Sequence, residues 1–195
     1  PRNRRAWLVV TAALSALLAL LAVAFVASRF RPGGPLGTAS PSAGAPPAAT
    51  PVPVLPVSAT ASSTNPELAR YRVGSTLDGD RATAWNSHGD KLRSNIGVRL
   101  TYRFAGPVKL ARVTIINGYA RTPALYRGNH RVARLSVRTD GGAATPWQLA
   151  DTTDPQTLTL PGAPTTSITL VVEEIHQGNK YKDVAITEIT FQSLP

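Results

Sequence analysis

From about Ser58 to Pro195 apolar and polar residues alternate in short runs. Ile96, Val98, Leu100, Tyr102 and Phe104 fall on one side and Gly97, Arg99, Thr101 and Arg103 on the other, which is the period of a half-buried strand. The same texture predicts strands over Val108–Ile116, Arg131–Arg138, Gln156–Leu160, Thr166–Ile175 and Val184–Phe191. Turn chemistry separates them at Asp140-Gly141-Gly142, Pro161-Gly162 and Gln177-Gly178-Asn179. No amphipathic run of three helical turns interrupts the series. Roughly 140 residues of short strands are enough for a two-sheet sandwich with its own core. In the last strand the apolar phase runs Val184, Ile186 and then slips to Ile189, Phe191. A one-residue slip turns every later side chain over, so a bulge is expected at Thr187-Glu188, and Glu188 is the side chain it re-aims.

The first 57 residues follow other patterns. Ala6 to Ser28 is a run of 23 residues without a charge, mostly Ala, Leu and Val. As a helix it rises roughly 34 Å, enough to cross a hydrocarbon core of about 30 Å. Trp7 and the flanking arginines stand where interfacial anchors belong. The rival reading is a cleaved signal peptide, since Ala22-Val23-Ala24 has the small-x-small form of a cleavage site. The length of the run favours a single transmembrane helix. Three arginines before it against two after favour a cytoplasmic N-terminus, with the C-terminal domain outside the cell membrane. The chain begins with Pro1 rather than methionine, so residues 1–5 are expected to be the stub of an upstream part. Residues 29–57 hold eight prolines among Gly, Ala, Ser and Thr, and read as an extended linker ahead of a domain spanning 58–195.

Charge adds less than its total suggests. The formal net charge is +10, but five of the 21 basic residues (Arg2, Arg4, Arg5, Arg29 and Arg31) flank the apolar run. The other 16, set against all 11 acidic residues, leave the remainder at +5 with no basic cluster, so nucleic acid is not an expected partner. The absence of cysteine excludes disulfides, thiol catalysis and Cys-based zinc sites. His88, His130 and His176 are isolated, and no nucleophile elbow or phosphate-cradling glycine loop is present. Glu173 and Glu174 are adjacent on an expected strand, so they should point to opposite faces and not flank one glycosidic bond. The inventory points away from an enzyme.

The stretch Leu77-Asp78-Gly79-Asp80-Arg81-Ala82-Thr83-Ala84-Trp85 carries the most chemistry. Two carboxylates, a hydroxyl and a turn-permitting glycine fall within six positions, and hard cations such as calcium are held by six to eight such oxygens. The loop reaches four or five, so a donor from elsewhere is needed, and Glu188 is the candidate. The bland alternative is an Asp-Gly turn with Thr83 as a cap.

Asp-Gly-Asp-x-x-Thr-x-Trp early in a β domain, with Ala185-Ile186-Thr187-Glu188-Ile189 near its end, resembles the discoidin or coagulation-factor type C (F5/8 type C) family, a galactose-binding-like jelly-roll sandwich. The resemblance covers Ser58 to about Leu194. Gly118-Tyr119-Ala120-Arg121, Tyr126 and Asn129-His130-Arg131-Val132 look more narrowly like the glycan-binding module of secreted bacterial NAD-glycohydrolases, also found on single-pass bacterial membrane proteins. The resemblance implies a structural calcium held by Asp78, Asp80, Thr83 and Glu188, with backbone help from Ser75 and Thr187, and a buried Trp85.

A sugar offers hydroxyls and an apolar ring face, met by aromatic rings beside planar donors. The segment Asn117–Arg131 has those contents, and Tyr119, Arg121, Tyr126, Asn129 and Arg131 are the expected ligand-binding residues, with Arg127 and His130 nearby. The loop Trp85–Arg93, with Asn86, His88 and Lys91, is a candidate opposite wall. The competing expectation is that the two tyrosines pack the loop onto the sandwich. The sequence therefore reads as a membrane-anchored, cell-surface, non-catalytic module that binds a glycan or cell-wall polysaccharide. The alternative is an extracellular sensory or protein-interaction domain of a single-pass signalling protein.

Overall fold

A computed structural model describes residues 49–195. The apolar run 6–28 and most of the proline-rich stretch lie outside the described residues. Among the described residues no helix is long and apolar enough to cross a membrane.

Among the described residues there are nine strands: β1 (Val52–Val54), β2 (Ser58–Ala61), β3 (Trp85–Asn86), β4 (Arg99–Asn117), β5 (Arg131–Thr139), β6 (Thr145–Gln148), β7 (Gln156–Thr159), β8 (Pro164–His176) and β9 (Ala185–Leu194). One six-residue helix, Pro123–Gly128, joins β4 to β5. Every named pairing is antiparallel.

The organising element is β4. Two expected strands, 96–104 and 108–116, are one strand of 19 residues. Its first half pairs with β2 and β8, its second with β7 and β9, and its register against β8 shifts between Arg103 and Val108. A strand that bends and changes sheets forms the corner of a sandwich. The layers are thus β2-β4-β8-β5-β6 and β1-β9-β4-β7, with β3 on β9. Alternation decides the rest: Leu100, Tyr102 and Phe104, beside Leu170 and Val172 of the same layer, pack with Ile189 and Phe191 of the other in one core cluster. Tyr102 and Phe104 meet Phe191 across the layers at ring-centroid distances of 5.1 and 5.6 Å.

Three expectations are corrected. Ile96 is 48% exposed, because Ser94 Oγ accepts the Ile96 N–H (3.0 Å) and holds it in a turn ahead of the strand. The sandwich also starts before Ser58, since Val52–Val54 pairs with Phe191–Ser193. Proline does not prevent this: Pro53 sits on an edge strand, where a missing N–H is tolerated. Glu173 and Glu174 do not diverge. A register shift beside Arg134 lets both reach its guanidinium, Glu173 at 2.9 Å and Glu174 at 2.8 Å.

The bulge expected in the last strand is present. Ile116 pairs with Glu188 and Asn117 with Ile186, leaving Thr187 as the extra residue. Its hydroxyl donates to the Gly118 carbonyl (2.7 Å) and accepts from the Ala120 N–H (2.8 Å), fixing the loop that leaves β4.

Candidate binding cleft and acidic turn

The turn at 78–83 is closed by its own side chains. Asp78 Oδ1 accepts the Asp80 N–H (2.9 Å) and Asp80 Oδ1 the Ala82 N–H (2.8 Å), around Gly79 at φ +71°. Thr83 Oγ1 stands 2.8 Å from Asp78 Oδ2, 3.0 Å from the Asp80 carbonyl and 3.4 Å from the Ser75 carbonyl. A threonine hydroxyl has one proton, so three acceptors crowd one donor. The bulge delivers Glu188 to the same place, where its Oε2 accepts the Gly79 N–H at 3.1 Å. Burial, with a contribution from the Asp78 charge, pushes the Glu188 carboxyl up to about 7 against the opposing pull of that hydrogen bond.

Asp78, Asp80, Thr83 and Glu188 are therefore brought together, as an oxygen-rich pocket short of protons. Among the described residues no three His, Asp or Glu side chains form a metal cluster. A cation here would rest on carbonyl and hydroxyl oxygens as well as the Asp78 and Glu188 carboxylates, a donor set that fits a hard ion. Trp85 is fully buried beside the turn, and its indole N–H donates to the Ser63 carbonyl at 3.0 Å.

The segment 117–131 divides in two. Tyr119 is 1% exposed, with its hydroxyl on the Ala82 carbonyl (2.9 Å) and its ring edge-on to Tyr71. Its face is not open to a sugar; it wedges the acidic turn against the sandwich. Arg131 is 7% exposed and makes four hydrogen bonds. Nε and Nη2 grip Asp151 at 3.0 and 2.6 Å, while Nη1 reaches the Asn129 and Gln177 carbonyls at 2.9 Å each. This bidentate pair depresses the Asp151 carboxyl and raises Arg131 further. The half-buried Tyr126 donates to Asp151 Oδ1 (2.8 Å) and carries the Arg131 guanidinium 5.3 Å from its ring centre. Arg131 and Tyr119 are thus corrected from ligand contacts to supports. Arg121 is exposed ahead of the helix and Asn129 is buried at the helix's C-terminal end.

The concave site at this end of the sandwich is lined by Asn65, Glu67, Tyr71, Asn86, Leu125, Asn129, Tyr181 and Asp183. Four polar side chains form its floor: Asn65, Asn86, Asn129 and Asp183 are each under 9% exposed. Asp183 ties three loops together, accepting from Asn65 Nδ2 and from the Gly89 N–H, both at 2.8 Å. Asn129 Nδ2 donates to the Leu125 carbonyl (2.9 Å), and its Oδ1 stands 3.4 Å from the Asn86 amide. Tyr71 and Tyr181 make the rim. Behind the cleft His130 Nδ1 accepts the Gly178 N–H at 2.7 Å, and the His130 backbone N–H donates to the Asp183 carbonyl. Burial, reinforced by the Arg131 charge, lowers the His130 pKa against a weaker pull from Asp183.

Of the five expected ligand residues only Asn129 lines this cleft, while Asn86 comes from the expected opposite wall. Asn65, Glu67, Tyr71, Tyr181 and Asp183 were not anticipated. The cleft holds about 90 Å³, below the roughly 300–1,000 Å³ usual for small-molecule sites. It can grip one end of a polar ligand whose remainder stays in solvent. Preset amide and carboxylate groups beneath two rings suit a hydroxyl-rich molecule. The histidines show no paired nucleophile; His176 Nε2 lies 3.2 Å from the Leu149 carbonyl.

A family model described as the NAD glycohydrolase translocation F5/8 type C domain matches residues 52–192. Among solved structures, the family 32 carbohydrate-binding module of Clostridium perfringens NanJ, in complex with galactose, aligns at 15% identity and TM-score 0.54, covering 70% of this chain and 93% of that one. The family 32 module of AlyQ, in complex with 4,5-unsaturated mannuronic acid, aligns at 14% identity and TM-score 0.51, covering 72% and 97%. The mycobacterial arabinofuranosyltransferase AftD aligns at 23% identity and TM-score 0.56, covering 71% of this chain and only 10% of that one. At these identities the likeness is one of fold. No curated protein sequence matches the chain.

Proposed function

We propose, from the premise that this chain belongs to the NAD glycohydrolase translocation F5/8 type C domain family, that its β-sandwich is a non-catalytic module that binds glycan through the loop-end cleft. The observation that carries this is the floor of four buried polar side chains under Tyr71 and Tyr181. Each floor group has its position set before any ligand arrives, so binding does not have to order it. The sugar complexes of the structurally similar modules support the same reading.

The acidic turn is the second part of the proposal. Asp78, Thr83, Glu188 and the Asp80 and Ser75 carbonyls would hold a calcium ion that pins the turn and takes no part in any reaction. The ion would neutralise the two acidic groups and so favour the ionised form of Glu188. The third part is location. The uncharged run 6–28 would anchor the chain in a cell membrane with the sandwich outside.

Glycan arrays and cell-wall polysaccharide pull-downs test the central claim. Wild type should retain a glycan that Tyr181→Ala loses with unchanged melting temperature and that Tyr71→Ala loses with a lowered one, since Tyr71 also packs on Tyr119. Binding that survives both substitutions would place the site elsewhere, and a chain that binds no glycan would favour a sensory or protein-contact role. Protease protection of membranes carrying the chain tests the anchor.

A further inference from the structure

The outward face of the β2-β4-β8-β5 layer carries a second concave surface, lined by Arg99, Ser136, Arg138, Thr169, Val171 and Glu173. At about 400 Å³ it is larger than the loop-end cleft and falls within the usual size range for ligand sites. It follows from the register. Arg99 stands opposite Val171 and Val171 opposite Ser136, while Thr101 stands opposite Thr169 and Thr169 opposite Arg138. Alternation sends all of these outward, because Leu100, Leu170 and Val137 between them fill the core.

The charges on this face are unbalanced. Its one lining carboxylate, Glu173, is already held by Arg134 at 2.9 Å. Arg99 and Arg138 form no ion pair among the described residues, nor does Arg103, two positions beyond Thr101 on the same face. Two strand spacings and two residue rises separate Arg99 from Arg138 by roughly 12 Å at the backbone, and four rises separate Arg99 from Arg103 by roughly 13 Å. Between Arg99 and Arg138 lies the hydroxyl pair Thr101–Thr169, with oxygens 3.0 Å apart.

We infer that this face is a second binding site, distinct from the loop-end cleft, for an extended acidic polysaccharide. Guanidinium groups recognise carboxylate and phosphate through paired N–H donors. Their backbones stand more than one sugar ring apart, so a chain carrying anionic groups at intervals can engage them together where a single small anion engages one. The threonine and serine hydroxyls between them match sugar hydroxyls. A nucleic acid fits less well: the lining holds no aromatic ring for base stacking. The inference does not depend on the loop-end cleft.

The test uses the full chain in neutral detergent, titrated with polygalacturonate, with a phosphodiester-linked wall polymer, with uncharged dextran and with single-stranded DNA. Wild type should bind one or both acidic glycans, more weakly as salt rises, and should not bind dextran at this face. Arg99→Gln combined with Arg138→Gln should weaken that binding at least tenfold with unchanged melting temperature, while Tyr181→Ala leaves it intact. Equal binding by wild type and the double variant, no binding of either acidic glycan, or tighter binding of the DNA would each overturn the assignment. The carboxylate and phosphate arms separate the two sources of anionic charge.

Discussion

The Glu188 carboxylate accepts the backbone N–H of Gly79 across 109 positions of sequence, at 3.1 Å. That contact joins the late strand β9 to the early acidic turn, and it holds a group whose pKa burial has raised to about 7.

The sign of the resulting pH dependence is fixed. The folded state keeps a proton that an ordinary carboxyl releases near pH 4.5, so the stabilising contribution is complete below that value and is lost as pH rises through about 7. In chelator, the melting temperature should therefore fall between these limits. Calcium should remove the fall, since an ion bound only by the folded state stabilises it by mass action, about 2.7 kcal/mol at one hundred times the dissociation constant. Glu188→Gln should flatten the chelator profile and abolish the calcium response. A melting temperature indifferent to calcium at pH 8 would exclude the ion.

His130 makes the opposite prediction for the cleft. Its folded pKa is lowered, so the neutral ring is favoured on folding; that contribution is complete above about pH 6.5 and is lost as pH falls through the lowered value. Protonation of Nδ1 removes the acceptor for the Gly178 N–H and loosens the loop bearing Tyr181 and Asp183. Glycan binding should weaken at acid pH, with the Gly178 amide resonance titrating in step. His130→Ala should weaken binding at neutral pH and remove the dependence.

Gly178 and Gly128 should respond differently to alanine. A Cβ at Gly178 would lie 2.4 Å from the Asn129 and Gly128 backbone oxygens, which have nowhere to go. Gly178→Ala should cost about 1–3 kcal/mol in a denaturant melt. At Gly128 the nearest atoms are the Tyr181 ring at 3.1 Å, a rim side chain that can turn outward. Gly128→Ala should leave stability nearly intact and weaken glycan binding.

Asp151→Ala should destabilise the domain without a direct effect on ligand. It strips two contacts from a guanidinium that is 8% exposed and one from Tyr126. Since Asp151 is 40% exposed and screened, the expected loss is about 1–3 kcal/mol rather than the larger figure for a fully buried pair. Thermal melts at low and high salt would check it.

The sequence made the strands of the core legible because alternation is a local signal, as at Leu100-Tyr102-Phe104. The clamp on the acidic turn was legible for a similar reason: the phase slip before Ile189 is visible without a partner. The cleft was not. Asn65 and Asp183 touch across 118 positions, and no periodicity links four loops that meet only at the end of a sandwich. Tyr119 and Arg131 misled because a buried aromatic–guanidinium network has the same composition as a sugar site, and only burial separates them. The helix Pro123–Gly128 carried its start signal, Thr122 capping the Leu125 N–H (3.2 Å) ahead of Pro123, but at six residues it has no period to detect.

The pairing of Val52 with Ser193 has a mechanical consequence. The strand that begins the sandwich and the one that ends it lie side by side at one pole, whereas Asp183, just ahead of β9, stands at the other, roughly 30 Å along the strand. Whatever polymer or partner the loops grasp, a pull on them travels the length of β9 before it reaches the pole where β1 opens the sandwich.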